Sequence, residues 1–342
     1  MLKEQDNIIE QVAFETYNTI QKAGLVDPFG RVHDYLRISV TDKCNLRCSY
    51  CMPDEKVIST PSAKLMKPNE ILEIASVFTK LGIKKIRITG GEPLVRKDAK
   101  EIIQALGSLP VDLNITTNAT RIDEYINDFI DAGMHSVNIS LDTFNEEKFF
   151  KITRRNNLAK ILENINLLLK YPFEVKINVV VMNGVNNDEL SDFVEFTKGN
   201  KVDVRFIEFM PFPGNHWKKE QVFSYDQILD ALKQQYPIDK LVDASHSTSR
   251  NYKVPGNKGT FGIISTITKP FCGDCNRLRL TADGKIKNCL FSKGEIDLLT
   301  AFRKGEDIYP LIQSSLRSKK KELGGQKMIE NTENRSMIAI GG

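Results

Sequence analysis

Between Leu36 and Met210, six short stretches rich in Ile and Val alternate with longer mixed stretches of helical period. Strands are expected near residues 36–40, 84–89, 112–117, 135–141, 174–181 and 202–209, with helices over 69–80, 99–106, 123–132, 158–170 and 188–197. Strands that alternate with helices pair in parallel through right-handed crossovers, because a right-twisted strand feeding a helix packs back onto its sheet only that way. The economical architecture is an α/β fold, a closed or partly closed barrel of βα units. After Pro213 the alternation fades into a segment with Pro237, Pro255, Gly256, Gly259 and Gly262. This predicts a barrel over 27–213, a second and less regular α+β unit over 214–335, and a tail over 336–342. Residues 1–26 are read as an N-terminal extension, an amphipathic helix with Ile8, Val12 and Ile20 near one face.

The strands carry a second pattern. Lys85, Arg87 and Thr89 share one parity and Ile86 and Ile88 the other; Asn114, Thr116 and Asn118 oppose Ile115. Asn138, Ser140 and Asp142 oppose Val137, Ile139 and Leu141, and Lys176 and Asn178 oppose Ile177 and Val179. An antiparallel sheet would turn such a polar side to water. A parallel sheet covered by helices has no such solvent, so the polar rows are expected to line the barrel lumen. Ordinary barrels fill that space with Val, Ile and Leu. Here Lys85, Arg87 and Lys176, with Arg37 and Arg205, would give it positive charge.

Composition removes several alternatives. With 41% hydrophobic and 27% charged residues over 342 positions, the chain is ordinary globular material. No apolar run nears the roughly 20 residues of a membrane helix. Glu4, Asp6, Glu10 and Glu15 argue against a transit peptide, which is poor in acids. The cytosol is the expected compartment, where thiols stay reduced. A formal net charge of +4 is too small for a nucleic-acid footprint. The lysine run 319–321 reads as a solvated helix face.

The six cysteines fall into two triples, Cys44, Cys48 and Cys51, then Cys272, Cys275 and Cys289. Close spacing in a reducing compartment disfavours disulfides. Structural zinc wants four tetrahedral ligands, and no histidine adjoins either triple, although the second opens with a zinc-like CxxC. A 4Fe-4S cube takes one thiolate per iron, so three cysteines leave one iron open to a ligand.

Cys44-Asn-Leu-Arg-Cys48-Ser-Tyr-Cys51 resembles the CxxxCxxC signature of radical SAM enzymes, and it follows the first expected strand. Gly90-Gly91-Glu92-Pro93 resembles the superfamily motif that holds the methionine amino group of S-adenosylmethionine (SAM). Read alone, the glycine pair is a plain βα turn. Phe271-Cys-Gly-Asp-Cys-Asn-Arg-Leu-Arg-Leu-Thr-Ala-Asp-Gly, continuing to Cys289, is similar to the C-terminal cluster motif of the GTP 3′,8-cyclases. Leu36-Arg-Ile-Ser-Val-Thr-Asp, Arg205-Phe-Ile-Glu-Phe-Met and the closing Gly341-Gly342 resemble that family too. Two departures stand out: the 26 leading residues, and Ala119 where the family commonly has glycine.

The resemblance implies an incomplete (β/α)6 TIM-like barrel carrying two 4Fe-4S clusters and SAM. It implies a lyase of molybdenum cofactor biosynthesis that converts GTP to (8S)-3′,8-cyclo-7,8-dihydroguanosine 5′-triphosphate. A 5′-deoxyadenosyl radical takes the C3′ hydrogen, and the carbon radical then attacks C8. By the same resemblance all six cysteines are cluster ligands, and Tyr50, Gly91, Ser140 and Met210 contact SAM. Arg37, Lys85, Arg87, Thr116, Lys176, Arg205, Arg277, Leu278 and Arg279 form the GTP set, with Arg277 and Arg279 as the catalytic pair. The two arginines lie two apart on an expected strand and so project to one side, where guanidinium forks suit phosphate. The double-glycine tail would enter the active site. Implied partners are an electron donor of flavodoxin or ferredoxin type and a downstream cyclic pyranopterin monophosphate synthase. The chain would be a monomer or homodimer, with no nucleic acid or membrane. The rivals are a radical SAM enzyme that modifies a peptide, with an auxiliary cluster, a ferredoxin-like electron carrier, and a zinc-dependent binding module.

Overall fold

The structure, a computed structural model, describes residues 24–53, 59–326 and 334–341. The expected N-terminal helix falls outside them except for 24–26, where Val26 instead forms an antiparallel bridge with Val32. Six parallel strands follow the sequence pattern: β1 (Tyr35–Ser39), β2 (Lys85–Thr89), β3 (Asp112–Thr117), β4 (Ser136–Ser140), β5 (Glu174–Val181) and β6 (Val202–Glu208). The helices between them are α1 (Pro68–Lys80), α2 (Ala99–Gly107), α3 (Ile126–Asp131), α4 (Glu146–Thr153), α5 (Leu158–Leu168) and α6 (Leu190–Gly199). Two differ from expectation. The 123–132 helix begins instead as a tighter turn, Ile122–Glu124. Helix α4 went unforeseen although Asn145 caps it by accepting from the Lys148 N–H at 3.0 Å.

Beyond β6 come α7 (Tyr225–Lys233), β7 (Asp239–Lys240), β8 (Arg250–Lys253), β9 (Thr260–Ile264), β10 (Arg277–Leu280), β11 (Lys285–Lys287) and β12 (Ile296–Asp297). The helices α8 (Leu298–Arg303), α9 (Tyr309–Arg317) and α10 (Met337–Ile340) close the described chain. The strands form one 12-stranded sheet in the order β12-β11-β10-β1-β2-β3-β4-β5-β6-β9-β8-β7. β1 and β6 are not neighbours, so the six-stranded βα barrel is incomplete, as the sequence implied. The C-terminal strands extend both of its edges: β10 runs parallel to β1, and β9 parallel to β6. The division at 213/214 remains our proposal about folding units.

One parity of each barrel strand lies in a continuous apolar core. Leu36, Ile38, Ile86, Ile88, Ile115, Val137, Ile139, Ile177 and Val204 are buried there against Ile74, Phe78, Leu106, Ile161 and Phe193 of the helices. Leu278 and Leu280 of β10 join the same core. The other parity therefore faces the lumen.

Candidate functional site

The first cysteine triple follows β1 and so sits at the carboxyl end of the parallel strands. Its loop is tied down by backbone bonds to the end of α4: Arg47 N–H donates to the Thr153 carbonyl and Ser49 N–H to the Ile152 carbonyl, each at 2.9 Å. Gly90 and Gly91, the turn after β2, pack against the lead-in to Cys44. A Cβ on Gly91 would lie 2.4 Å from the Lys43 carbonyl oxygen, and one on Gly90 would lie 2.6 Å from that of Thr41. The glycines are needed for this close approach. Gly91 N–H donates to Thr41 at 2.6 Å, and Glu92 N–H to Lys43 at 2.8 Å. Each carboxylate oxygen of Glu92 accepts in turn, from Thr117 Oγ1 at 2.8 Å and the Asn118 N–H at 2.6 Å.

Cys44, Cys48 and Cys51 line one cavity together with Tyr50, Gly91, Ser140 and Met210, the four residues assigned to SAM from the sequence. Thr116, Asn118, Asp142, Asn178, Met337 and Ile338 complete its polar and apolar walls. Tyr50 donates to Asp142 at 2.7 Å. Burial pushes the Asp142 carboxyl up to about 6 and that of Glu92 up to about 7. Burial and the Glu92 charge raise Cys44 to about 11, and burial with the Cys44 charge raises Cys51 to about 12. Three thiols and two carboxyls around one cavity make thiolates costly until a positive centre binds among them.

The second triple lies at the opposite end. Cys275 precedes Arg277, which is level with Tyr35 at the start of β1. Cys289 follows β11, whose Lys287 is level with Arg279. At about 3.3 Å per residue, the length of β1 separates the two ends by roughly 16 Å. Cys272 Sγ accepts from the Leu323 N–H at 3.5 Å. Burial would raise Cys275, but the charges of Arg277 and Lys319 outweigh it and bring the thiol to about 7. Lys319 corrects the reading of 319–321 as a solvated face: it is 4% exposed, while Lys320 and Lys321 are exposed. A lysine turned inward beyond the end of a helix leaves no periodic trace.

Between the triples lies the polar lumen. Arg37 is the Cα partner of both Arg87 and Arg279. Burial first, then Arg279, holds Arg37 well below the usual guanidinium range, and burial with the Arg277 charge brings Arg279 to about 10. Lys85, Lys176 and Arg205 instead pair with Asp112, Glu174 and Asp203, at 2.8, 2.7 and 2.7 Å. The side chain of Leu278 is fully buried in the outer core, so strand alternation leaves only its main chain for any ligand. Thr116 Oγ1, Asn138 Oδ1 and Asn178 Oδ1 are buried without a hydrogen-bond partner among the described residues.

The tail closes this space. Gly341 is buried at φ +85°, and its carbonyl accepts from Arg279 Nη1 at 2.8 Å. A Cβ there would meet Thr89 Oγ1 at 2.6 Å and Ser39 Cβ at 2.8 Å. Gly342 lies outside the described residues. Met210 and Met337 line the first cavity and also pack, with Ile340, in an apolar cluster that includes Cys289. One apolar cluster thus links the wall of the first cavity to a cysteine of the second triple. Ala119, where a glycine was expected, is buried at φ +61°, a left-handed conformation that glycine adopts more easily.

The donor sets fit iron-sulfur clusters. All six thiols are free, and among the described residues no three His, Cys, Asp or Glu side chains converge on a single metal ion. A cube takes each thiolate at a different iron, which suits three free thiols per set. No helix among the described residues is long and apolar enough to cross a membrane. Sequence reasoning missed Met337, Ile338 and Lys319, which reach the site only through tertiary packing.

Residues 38–197 match the family model of the radical SAM superfamily, and residues 202–324 the one described as molybdenum cofactor synthesis C. The chain is 43% identical over 304 residues to a GTP 3′,8-cyclase of Listeria monocytogenes, covering 86% of this chain and 90% of that one. It is 42% identical over 325 residues to a mitochondrial GTP 3′,8-cyclase of Arabidopsis thaliana, covering 93% and 83%. Molybdenum cofactor biosynthesis protein 1 of Mus musculus is 44% identical over 326 residues, covering 93% of this chain and 51% of that protein. The chain spans about half the length of several curated relatives of this last kind. Among solved structures, Streptococcus suis SuiB bound to S-adenosylmethionine aligns with TM-score 0.59 at 15% identity, over 84% of this chain and 68% of that one. That likeness concerns the fold alone.

Proposed function

The chain belongs to the GTP 3′,8-cyclase family, and from that premise we propose that it converts GTP to (8S)-3′,8-cyclo-7,8-dihydroguanosine 5′-triphosphate, opening molybdenum cofactor biosynthesis. When bound at Cys44, Cys48 and Cys51, a 4Fe-4S cluster with SAM supplies the radical that takes hydrogen from the nucleotide. The chain's own residues hold both molecules in reach and keep water away. Tyr50, Gly91, Ser140 and Met210 enclose SAM, and Asn178 Oδ1 offers it an acceptor. Cys272, Cys275 and Cys289 hold a second cluster facing the guanine base.

One observation carries the substrate assignment: Arg37, Arg87 and Arg279 stand at one level of the lumen, between the two triples. Clustered guanidiniums in a low-dielectric space repel one another unless an anion enters. A triphosphate supplies that charge in oxygens suited to bidentate forks. Arg277 continues the set toward the second triple, and Lys85, Lys176 and Arg205, already neutralised by acids, shape its edge. Thr116 and Asn138 offer unpaired oxygens to ribose or base donors.

We further propose a flavodoxin- or ferredoxin-type electron donor, a cyclic pyranopterin monophosphate synthase as consumer of the product, and a cytosolic location. The test is to incubate the anaerobically reconstituted chain with SAM, a reductant and GTP. Formation of 5′-deoxyadenosine together with a cyclised nucleotide is expected. SAM cleavage with GTP left intact would overturn the substrate reading and reopen that of a peptide-modifying enzyme.

A further inference from the structure

Lys319 lies two residues past α9, and its side chain turns inward beside the second triple. An ammonium has three donor hydrogens and no acceptor. Three acceptors surround its Nζ: His33 Nε2 at 2.7 Å, the Arg277 carbonyl at 3.2 Å and Cys275 Sγ at 3.6 Å. Donors and acceptors match in number, so the nitrogen is held with one hydrogen aimed at the sulfur. The match also sets the histidine tautomer: Nε2 accepts from the lysine, and Nδ1 donates to the Leu25 carbonyl at 3.2 Å. Asp27 stands 3.8 Å from His33 Nε2, beyond hydrogen-bond reach, and is engaged by Arg31 Nε at 2.6 Å. Arg31 in turn donates to the carbonyls of Cys272 and Lys321, each at 2.7 Å. Residues 25–33 therefore anchor both the turn carrying Cys272 and the segment carrying Lys319.

The first triple has different surroundings. Cys44 Sγ has the neutral amide of Asn118 at 3.8 Å, and the acidic side chains of Glu92 and Asp142 line its cavity. The chain thus lines the cavity of one set of thiols with carboxyls, with the Arg47 guanidinium donating to the Cys44 carbonyl, and sets a buried ammonium against a thiol of the other.

We propose that Lys319 is a positioning residue of the second cluster, holding the Cys275 thiolate through an N–H···S bond and raising that cluster's reduction potential by its fixed positive charge. The inference rests on the reading that Cys272, Cys275 and Cys289 carry an iron-sulfur cluster. Reduction adds negative charge to a cluster, and a nearby desolvated cation favours the reduced form. His33 is the neutral acceptor that keeps the ammonium aimed.

The experiment is a redox titration read by EPR on the anaerobically reconstituted full chain and its Lys319→Met and Lys319→Arg variants. The second cluster's signal is the one that survives in a chain carrying C44A, C48A and C51A. K319M is expected to keep its iron and sulfide, to shift that signal to a more negative potential and to leave the other in place. K319R is expected to move it back toward the parent. Full iron content with an unmoved second signal in K319M overturns the proposal. If K319M holds no second cluster, K319R decides: iron retained at the parent potential supports the charge, and iron lost from both variants overturns it, because shape alone then governs the site. Absence of iron from the second triple in the unmodified chain overturns the underlying reading, and this inference with it.

Discussion

Arg37 and Arg279 are Cα partners on the adjacent parallel strands β1 and β10, two like charges side by side in the barrel lumen. After burial, the Arg279 charge is the strongest influence lowering Arg37. An anion bound between the two relieves their repulsion. Replacing Arg279 with glutamine should weaken GTP binding about tenfold or more, since a charge-assisted hydrogen bond is worth roughly 1.5–3 kcal/mol. Folding stability should change little, because the relieved repulsion offsets the lost bond to the Gly341 carbonyl. Equilibrium binding of GTP and thermal melting check this, and undiminished GTP affinity would remove Arg279 from the phosphate set.

Gly341→Ala tests the tail. The new Cβ would meet Thr89 Oγ1 at 2.6 Å and Ser39 Cβ at 2.8 Å in a backbone conformation of φ +85° that disfavours alanine. The tail should leave the lumen and break its bond to Arg279. Turnover should drop about tenfold or more while iron content stays at the parent level, as roughly 1.4 kcal/mol of lost positioning corresponds to a factor of ten. Parent turnover in G341A would show that the tail is dispensable.

Gly91→Ala probes the first triple separately from the second. Its Cβ would lie 2.4 Å from the Lys43 carbonyl oxygen and 2.7 Å from the carbonyl carbon, both main-chain atoms that cannot step aside cheaply. The shift passes directly into Cys44. Only the first cluster should be lost, leaving roughly half the parent iron. Iron and sulfide analysis after reconstitution gives the answer; a full complement would show that the loop tolerates the change.

His33 sets a pH dependence of folding. Burial first, then the Lys319 charge, lowers its pKa from 6.5 to about 4. Below pH 6.5 the unfolded chain takes up a proton that the folded chain refuses, so stability is complete above that pH and declines as pH falls toward 4. At 1.36 kcal/mol per unit the decline totals about 3 kcal/mol. His33→Gln can still accept from Lys319 and donate to Leu25, yet it does not titrate. Denaturant unfolding at pH 7.5 and 5 should therefore show a smaller loss in H33Q than in the parent, and equal losses would sink the assignment.

Local chemistry made much of this protein legible. The alternation of Ile86 and Ile88 with Lys85 and Arg87 told which side of β2 meets helices and which faces a polar lumen, because side-chain period is a property of the strand itself. The thiol spacings marked both triples because close ligand spacing is written in the chain itself. Helix α4 was missed because Asn145 to Thr153 is short and charged, and packing rather than propensity holds it in place.

Contacts between distant parts of the chain had to be seen. That β10 runs parallel to β1, and so sets the second triple at the far end of the lumen from the first, follows from strand pairing with no local signature. The inward turn of Lys319 from a run of three lysines, the insertion of Gly341 beside Ser39 and Thr89, and the pairing of Lys85, Lys176 and Arg205 with acids are decisions of the same kind. Sequence fixes what a residue can do and which way it points along its own element. Which charges share a cavity depends on non-local packing, where burial and the neighbouring charge decide how each group behaves.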